Sequence, residues 1–266
     1  MSERSGIPEP TRLNQVAWNE LARAGDEFFQ AASAAEIADA RQGQWKIRIT
    51  PQKCVPRDWL EPLKGRELLC LAGGGGRQAP LLAAAGANVT VFDLSELQMR
   101  RDLEIAERES LAIRTVLGDM ADLSCFGDEQ FDLIVNPCSV CYAPSVRPIW
   151  AEAYRVLKPG GSLISGMINP VYYLFDALKM DRGELVVRHK IPYSDLDLSP
   201  QERTKIWGDS RPIEFGHTIS DLIGSQLEVG FQLTGFYEDG WSDNDRLSSM
   251  IGTFFATRAR KALGLG

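Results

Sequence analysis

Four consecutive glycines, Gly73 to Gly76, follow the apolar run Leu68-Leu69-Cys70-Leu71-Ala72. Glycine at such a turn lets the backbone bend sharply and approach a ligand with no Cβ in the way. A helix opening just beyond would present unpaired N–H groups, and a nucleoside-containing cofactor is the expected occupant. Gly74, Gly76 and Ala79 also fit the GxGxx[GA] spacing of dinucleotide sites. The loop alone therefore leaves a nicotinamide oxidoreductase open. Asp93 closes the next apolar run, Val89-Thr90-Val91-Phe92. A carboxylate there can accept from both hydroxyls of a ribose, and Ser95, after Leu94, already supplies a helix cap. Gly118-Asp119-Met120 ends a third run, placing a carboxylate and a backbone N–H where an adenine ring would lie. Asn136 ends a fourth run beside the glycine loop, where reacting groups are expected.

Groups able to move a proton are few. Cys138, Cys141 and Tyr142 follow the fourth run, and His217 precedes a late helix as a candidate general base. His189 lies in a charged stretch and reads as a surface residue. Cys138 and Cys141 make one CxxC pair, but a structural zinc site wants a second pair or nearby histidines, and the chain has two histidines in all. No metal is expected, and the two thiols read as inert or substrate-facing. Tyr172, Tyr173 and Phe175 form an aromatic cluster suited to an apolar or aromatic ligand.

The elements that must position these residues alternate. Strands are expected at Glu67–Ala72, Asn88–Asp93, Ile113–Leu117, Phe131–Asn136 and Gly161–Met167, separated by helix-length segments, which is the pattern of a parallel sheet. Ser95 and Gln98 have the spacing of a capping box, with Met99, Leu103 and Ala106 on one helix face. A helix from about Pro148 to Leu157 is stopped by Lys158-Pro159-Gly160-Gly161. Leu13, Ala17, Leu21, Ala24 and Phe28 recur at helical spacing, so residues 1–60 read as a helical lid and connector, with residues 61–266 as the main domain. Residues 170–216 break the alternation and read as a cap insertion. A helix near Ser220–Glu228 and an antiparallel pair, Phe231–Glu238 with Ile251–Arg258, complete the chain.

The composition, 44% hydrophobic and 24% charged over 266 residues, is that of an ordinary globular chain. A net charge of −7 argues against a nucleic-acid partner. No apolar run is long enough for a membrane span and the N-terminus lacks a secretory signal, so a cytoplasmic location is expected. Oligomeric state is not readable.

In order, LLCLAGGGG, VTVFDLS, GDMADL, FDLIVNPCSV and YRVLKPGGSLI resemble the class I S-adenosylmethionine-dependent methyltransferases, in the small-molecule group called type 11. The resemblance covers roughly residues 66–167. It implies a Rossmann-like seven-stranded α/β sheet whose last strand is antiparallel. It also implies S-adenosyl-L-methionine as cofactor, S-adenosyl-L-homocysteine as product, and a small-molecule methyl acceptor. Ala72, Gly73, Gly74 and Gly76 would lie along the methionine portion. Asp93 and Leu94 would hold the ribose, Asp119 and Met120 the adenine, and Asn136 would pass near the sulfonium. Cys138, Cys141, Tyr172 and Tyr173 would face the acceptor, with His217 or Tyr142 needed as a base only if the acceptor must lose a proton. Two positions depart from the pattern: Cys70 stands where an acid is usual, and Ala72 where a glycine is usual. They keep a non-catalytic cofactor-binding protein as the alternative. Asn136-Pro137-Cys138 is also similar to the NPP motif of amino-group methyltransferases, but lacks its second proline and aromatic.

Overall fold

The computed structural model describes residues 9–25, 30–208, 211–242 and 244–264. Three helices come first: α1 (Glu9–Ala24), α2 (Ala34–Arg41) and α3 (Arg57–Leu60). The alternating part runs β1 (Glu67–Leu71), α4 (Gln78–Ala84), β2 (Asn88–Asp93), α5 (Glu96–Glu109), β3 (Ile113–Leu117), β4 (Phe131–Asn136), α6 (Arg147–Val156) and β5 (Leu157–Ile168). Then follow α7 (Ala177–Met180), β6 (Tyr193–Ser194), α8 (Pro200–Trp207), β7 (Phe215–Gly216), α9 (Ser225–Glu228), β8 (Phe231–Asp239) and β9 (Phe254–Lys261).

Seven strands form one sheet in the order β3-β2-β1-β4-β5-β9-β8. Strands β1 to β5 pair in parallel, and β9 enters antiparallel between β5 and β8. The expected Rossmann-like sheet with an antiparallel last strand is thus observed. Strand order reverses between β1 and β4, and the crevice beyond their carboxyl ends is where such sheets hold ligands.

Alternation along β1 sends Leu69 and Leu71 to one face and Leu68 and Cys70 to the other. The first face packs Phe92, Phe131, Trp150 and Val156. The second packs Ile37, Ile47, Leu60, Leu82 and Val91. Each large side chain buried this fully contributes about 1.5–3 kcal/mol. Residues of α2 and the connector after it therefore belong to the main core.

Several local expectations are revised. On α1, Leu13 is exposed while Thr11, Asn14 and Ala17 are buried, so the inner face of this helix is largely polar; Phe28 lies outside the described residues. On α5 the buried face is Gln98, Met99, Asp102, Ile105 and Ala106, and Leu103 points outward. Lys158-Pro159-Gly160-Gly161 makes a bulge inside β5: Phe131 pairs with Leu157 but Leu133 with Ser162, and Gly160 takes φ +78°. The last strand begins at Phe254, because Leu247 to Ile251 close a turn through Ile251 N–H to Leu247 O, 3.0 Å.

Residues 170–216 do leave the main sheet. They hold a bridge between Phe175 and Val187, the short antiparallel pair β6–β7, and α8 with a reciprocal Ser199/Glu202 capping box. Among the described residues no helix is long and apolar enough to cross a membrane.

The connector after α2 is pressed onto the sheet at β5. A Cβ on Gly166 of β5 would stand 2.1 Å from the Ile49 carbonyl oxygen, a backbone atom that cannot swing aside. Gly166→Ala should therefore cost about 3 kcal/mol, the upper end for overpacking, read as a lowered urea midpoint at constant slope. A change within about 0.5 kcal/mol would show that the two backbones are not in close approach.

Candidate active site

A cavity of about 690 Å³ opens at the reversal point of the sheet. Its floor is the loop from β1 to α4, its roof is α1, and its far wall comes from residues after β5 and α8. Of the residues singled out by sequence, Ala72, Gly73, Gly74, Asp93, Leu94, Asp119, Met120, Cys138, Tyr142 and Tyr172 line it. Gly76, Asn136, Cys141, Tyr173 and His217 do not.

The glycine loop is held from below by carboxylates. Gly74 N–H donates to Asp93 Oδ2 at 2.9 Å, and Gly75 and Gly76 N–H donate to the two oxygens of Asp102, each at 3.0 Å. A side chain at Gly76 would be strained, because φ is +80° there and its Cβ would crowd Ile105 Cδ1 at 2.8 Å and Arg101 O at 3.3 Å. At Gly74 a Cβ would fall 3.0 Å from Gln98 Cβ and 3.1 Å from Asp93 Oδ2. Ala72 sits at φ +49°, a left-handed position that costs an L-residue about 1–2 kcal/mol; its N–H is fixed to Phe92 O at 2.7 Å. The acid usual in the first strand is absent, and Asp102 of α5 supplies a buried carboxylate from another element. Its signal in the sequence was an Asp on the apolar face of a helix.

These contacts bear on which cofactor fits. A pyrophosphate needs the loop amides as donors, yet three of them are already spent on the carboxyls of Asp93 and Asp102. Burial raises the Asp93 carboxyl above its ordinary value, against the N–H groups of Ser95, Gly74 and Leu94. Asp102 is pushed up to about 7, first by burial and also by Asp93, against the Gly75 and Gly76 N–H groups.

Ser95 Oγ accepts from Gln98 N at 3.2 Å, but the expected return bond is missing, because Ser95 N–H donates to Asp93 Oδ1 at 2.8 Å. The Gln98 amide is consequently buried at the cavity wall with neither end partnered among the described residues. Sequence reading assigned it to a cap and so missed it.

Helix α1 straps across the opening. Thr11 Oγ1 donates to Asp119 Oδ2 (3.2 Å) and Gln15 Nε2 to Leu94 O (3.0 Å). Asn14 Nδ2 donates to Tyr142 O (2.9 Å) and Ile213 O (3.1 Å), and its Oδ1 accepts from Ile213 N. Trp18 packs edge-on to Tyr142 with centroids 4.9 Å apart.

Asn136 ties strand ends together: Nδ2 donates to Leu71 O and Ser139 Oγ, and Oδ1 accepts from Ser165 Oγ. Cys138 reaches the cavity with its thiol donating to Ile49 O at 3.2 Å. Burial pushes the thiols of Cys138 and Cys141 up, away from the reactive thiolate form. No group of three metal-ligating side chains occurs among the described residues. His217 is buried, with Nε2 3.2 Å from Val140 O and a pKa lowered by burial. This carbonyl contact anchors the segment before α9 to the turn at Val140, and no base role is assigned to it. His189 packs edge-on to Tyr193 instead of lining the cavity.

The far wall is aromatic. Tyr172 and Trp241 centroids lie 6.3 Å apart, Trp241 and Phe254 4.6 Å apart, and Trp207 joins them. Behind Tyr172, Tyr173 is buried and donates its hydroxyl to Glu214 Oε2 at 2.9 Å. Glu214 lines the cavity. Nothing in its surroundings, Pro212-Ile213-Glu214-Phe215, marked it beforehand.

Fold and site together define a class: a Rossmann-like protein with a cofactor-sized cavity at the reversal point of its sheet. A family model described as "Methyltransferase domain" matches residues 69–165. The chain is 48% identical over 249 residues to the uncharacterized methyltransferase YbaJ of Bacillus subtilis (strain 168), covering 93% of this chain and 97% of that one. It is 33% identical over 153 residues to the ubiquinone/menaquinone biosynthesis C-methyltransferase UbiE of Cereibacter sphaeroides, covering 52% of this chain and 60% of that one. Among solved structures, an S-adenosylmethionine-dependent methyltransferase from Mesorhizobium loti superposes with a TM-score of 0.60 at 18% identity, over 77% of this chain and 95% of that one. The Burkholderia thailandensis 1,6-didemethyltoxoflavin-N1-methyltransferase with bound S-adenosylhomocysteine also gives 0.60, at 14% identity, over 98% and 93%. The chain belongs to the class I S-adenosylmethionine-dependent methyltransferases, and it is an enzyme of methyl transfer. The nicotinamide and non-catalytic readings are set aside.

The folded chain holds the Asp102 proton up to about pH 7, whereas the unfolded chain releases it near the ordinary carboxylate value of 3.8. Folding takes up a proton between those values, so this group makes stability fall as pH rises through the window. Thermal melts of Asp102→Asn should show a shallower fall over that range, together with a lower Tm throughout, because an amide oxygen cannot accept from both glycines as two carboxylate oxygens do. Identical pH slopes would show that Asp102 titrates alike in both states.

Proposed function

We propose that the chain carries the methyl group of S-adenosylmethionine to a small acceptor with an apolar or aromatic body, seated between the glycine loop and residues 170–216. The observation that carries this reading is one cavity running from Gly73–Gly75 to Trp207 and Trp241. At about 690 Å³ it matches the size of sites that enclose drug-sized ligands.

The residues present fit the cofactor. Asp93 keeps acceptor capacity on both oxygens for ribose hydroxyls, since each takes one backbone N–H. Asp119 and Met120, with Leu94, make the adenine end, and Thr11 orients the Asp119 carboxylate from above. Ala72, Gly73 and Gly74 leave backbone room for the methionine chain, and Arg48 and Arg77 stand at the same wall for a carboxylate. Gly76 and Asn136 act from behind, holding the loop and the ends of β1, β4 and β5 in register. Bound S-adenosylmethionine supplies an electrophilic methyl carbon on a sulfonium leaving group. The protein aligns the acceptor with that carbon and excludes water: α1 covers the cofactor end, while Tyr142, Cys138 and Tyr172 border the passage to the acceptor end. The reading extends to a cytoplasmic enzyme that does not act on nucleic acid, supported by five free cysteines and a net charge of −7.

Calorimetry tests the assignment. S-adenosylmethionine and S-adenosylhomocysteine should both bind and NAD should not. Asp93→Ala should lose about 10–100-fold in affinity, the worth of one hydrogen bond to a charged group. Undiminished affinity in a folded Asp93→Ala variant would remove Asp93 from the ribose site. Gln98→Leu should likewise weaken S-adenosylhomocysteine binding while raising thermal stability, because it deletes two unpartnered polar atoms. Tighter binding by that variant would show that the amide never meets the cofactor.

A further inference from the structure

Among the described residues Glu214 is the one carboxylate at the aromatic end of the cavity, and its surroundings are unusual. Its Oε2 accepts from Tyr173 at 2.9 Å, while Oε1 has no partner among the described residues. Its backbone N–H is fixed by Asp195 Oδ2 at 2.8 Å, and Asp195 Oδ1 takes the Tyr193 hydroxyl at 2.6 Å. Tyr193 stacks on Tyr173 with centroids 5.3 Å apart. The carboxylate is therefore built into a braced arrangement with one oxygen spare. The neighbouring Ile213 shares Asn14 with the carbonyl of Tyr142, so Glu214 stands beside the turn that follows β4. The Nε1–H of Trp207, on the same cavity, is buried without a partner among the described residues.

The geometry points to Glu214 as the group that takes a proton from the methyl acceptor, and to an acceptor of matching class: a flat aromatic ring whose nucleophilic atom carries an acidic O–H or N–H. The inference rests on the reading of this chamber as the acceptor site. In the transfer, the acceptor's O–H or N–H bond breaks and its proton goes to Oε1. The electron pair of that atom forms the bond to the methyl carbon as the carbon–sulfur bond breaks. A neutral acceptor, a carboxylate and a sulfonium become a methylated product, a carboxylic acid and a neutral thioether, so charge and atoms balance. The acid then returns its proton to water after product leaves. Trp207 N–H is a donor for a carbonyl or ring nitrogen on the same acceptor.

The charge surroundings suit this use. Burial, and next Asp195, push the Glu214 carboxyl up to about 7, against the Tyr173 hydroxyl and the Arg211 guanidinium. Cys141, Tyr142, Tyr172 and Tyr193 also face this carboxylate, and each is held neutral by its own upward shift. A base poised near neutrality combines a deprotonated population with real driving force for proton capture. Tyr173 is a positioning residue: it occupies Oε2 and leaves Oε1 to the acceptor.

The test uses the full chain saturated with S-adenosylhomocysteine and two probe pairs, 2-naphthol with 2-methoxynaphthalene and indole with 1-methylindole. Calorimetry above about pH 7 should show at least one X–H probe binding about 10-fold or more tighter than its methylated twin, as expected for a hydrogen bond to a charged group. The preference should fade below that pH as Glu214 protonates, and vanish in Glu214→Gln with the S-adenosylhomocysteine affinity unchanged. In Tyr173→Phe the pH at which it fades should move upward, a shift that loss of packing alone would not give. Which pair discriminates separates an O–H from an N–H acceptor. Equal binding within both pairs, a preference that survives Glu214→Gln, or failure of all four probes to bind would overturn the inference. Failure of S-adenosylhomocysteine itself to bind wild type would instead strike the cofactor assignment.

Discussion

Buried amides must find acceptors, and in this protein that requirement is met by two carboxylates under one loop. Asp93 and Asp102 take the N–H groups of Gly74, Gly75 and Gly76. Three elements are locked together by this, since Asp93 ends β2, Asp102 belongs to α5 and the glycines leave β1. The same bonds decide what the loop can still bind. An amide cradle left open would attract phosphate; here three of its donors are already taken by Asp93 and Asp102. Cys70, which replaces the usual acid, can then be a neutral core side chain, buried and with its thiol pushed up by burial and by Asp102. The carboxylate has moved to a different element while the loop still has an acceptor beneath it.

Closure of the site follows a different rule. Helix α1 meets the body of the protein mainly through Thr11, Asn14, Gln15 and Asn19. Hydrogen bonds of this kind contribute about 0.5–1.5 kcal/mol each, because water offers the same partners to a detached helix. Helices α4 and α6, by contrast, bury Leu82 and Trp150 completely. The cofactor roof thus covers less apolar surface than α4 or α6 does, and regions of that kind lie at the low end of local stability. A roof with those properties permits entry and exit of a cofactor without disturbing the sheet.

Where apolar periodicity governs, the sequence was legible. Strands β2, β3 and β4 begin and end where the apolar runs and flanking turns put them; both faces of β2 and β4 are buried, so slippage there would expose whole rows of side chains, while β3 is a partly exposed edge strand bounded by its turns. Polar residues acting inside helices were not legible. The heptad-like spacing of Met99, Leu103 and Ala106 hid the true inner face, where Asp102 and Gln98 sit among apolar neighbours. A pattern search rewards hydrophobic matches and so passes over a carboxylate that owes its burial to two backbone N–H groups. The same limit applies to α1, where Leu13 of the apolar stripe is exposed while the polar Thr11 and Asn14 are buried.

The acceptor side was the least readable for a physical reason. Its wall is assembled from turns, a two-strand pair and α8, segments whose conformation depends on tertiary bonds such as Asp195 to Glu214 N–H and Asn14 to Ile213. Neither residue of such a pair announces the other, since they are far apart in sequence and follow no period. The cofactor side, whose parts follow one another along the sheet in fixed order, carries its own grammar. A scaffold of this kind can hold one donor constant while irregular segments reshape the acceptor chamber, and function is decided there by the side chains themselves. In this chain those side chains are a ring of aromatics around one braced carboxylate, an arrangement that selects by flatness and by a transferable proton.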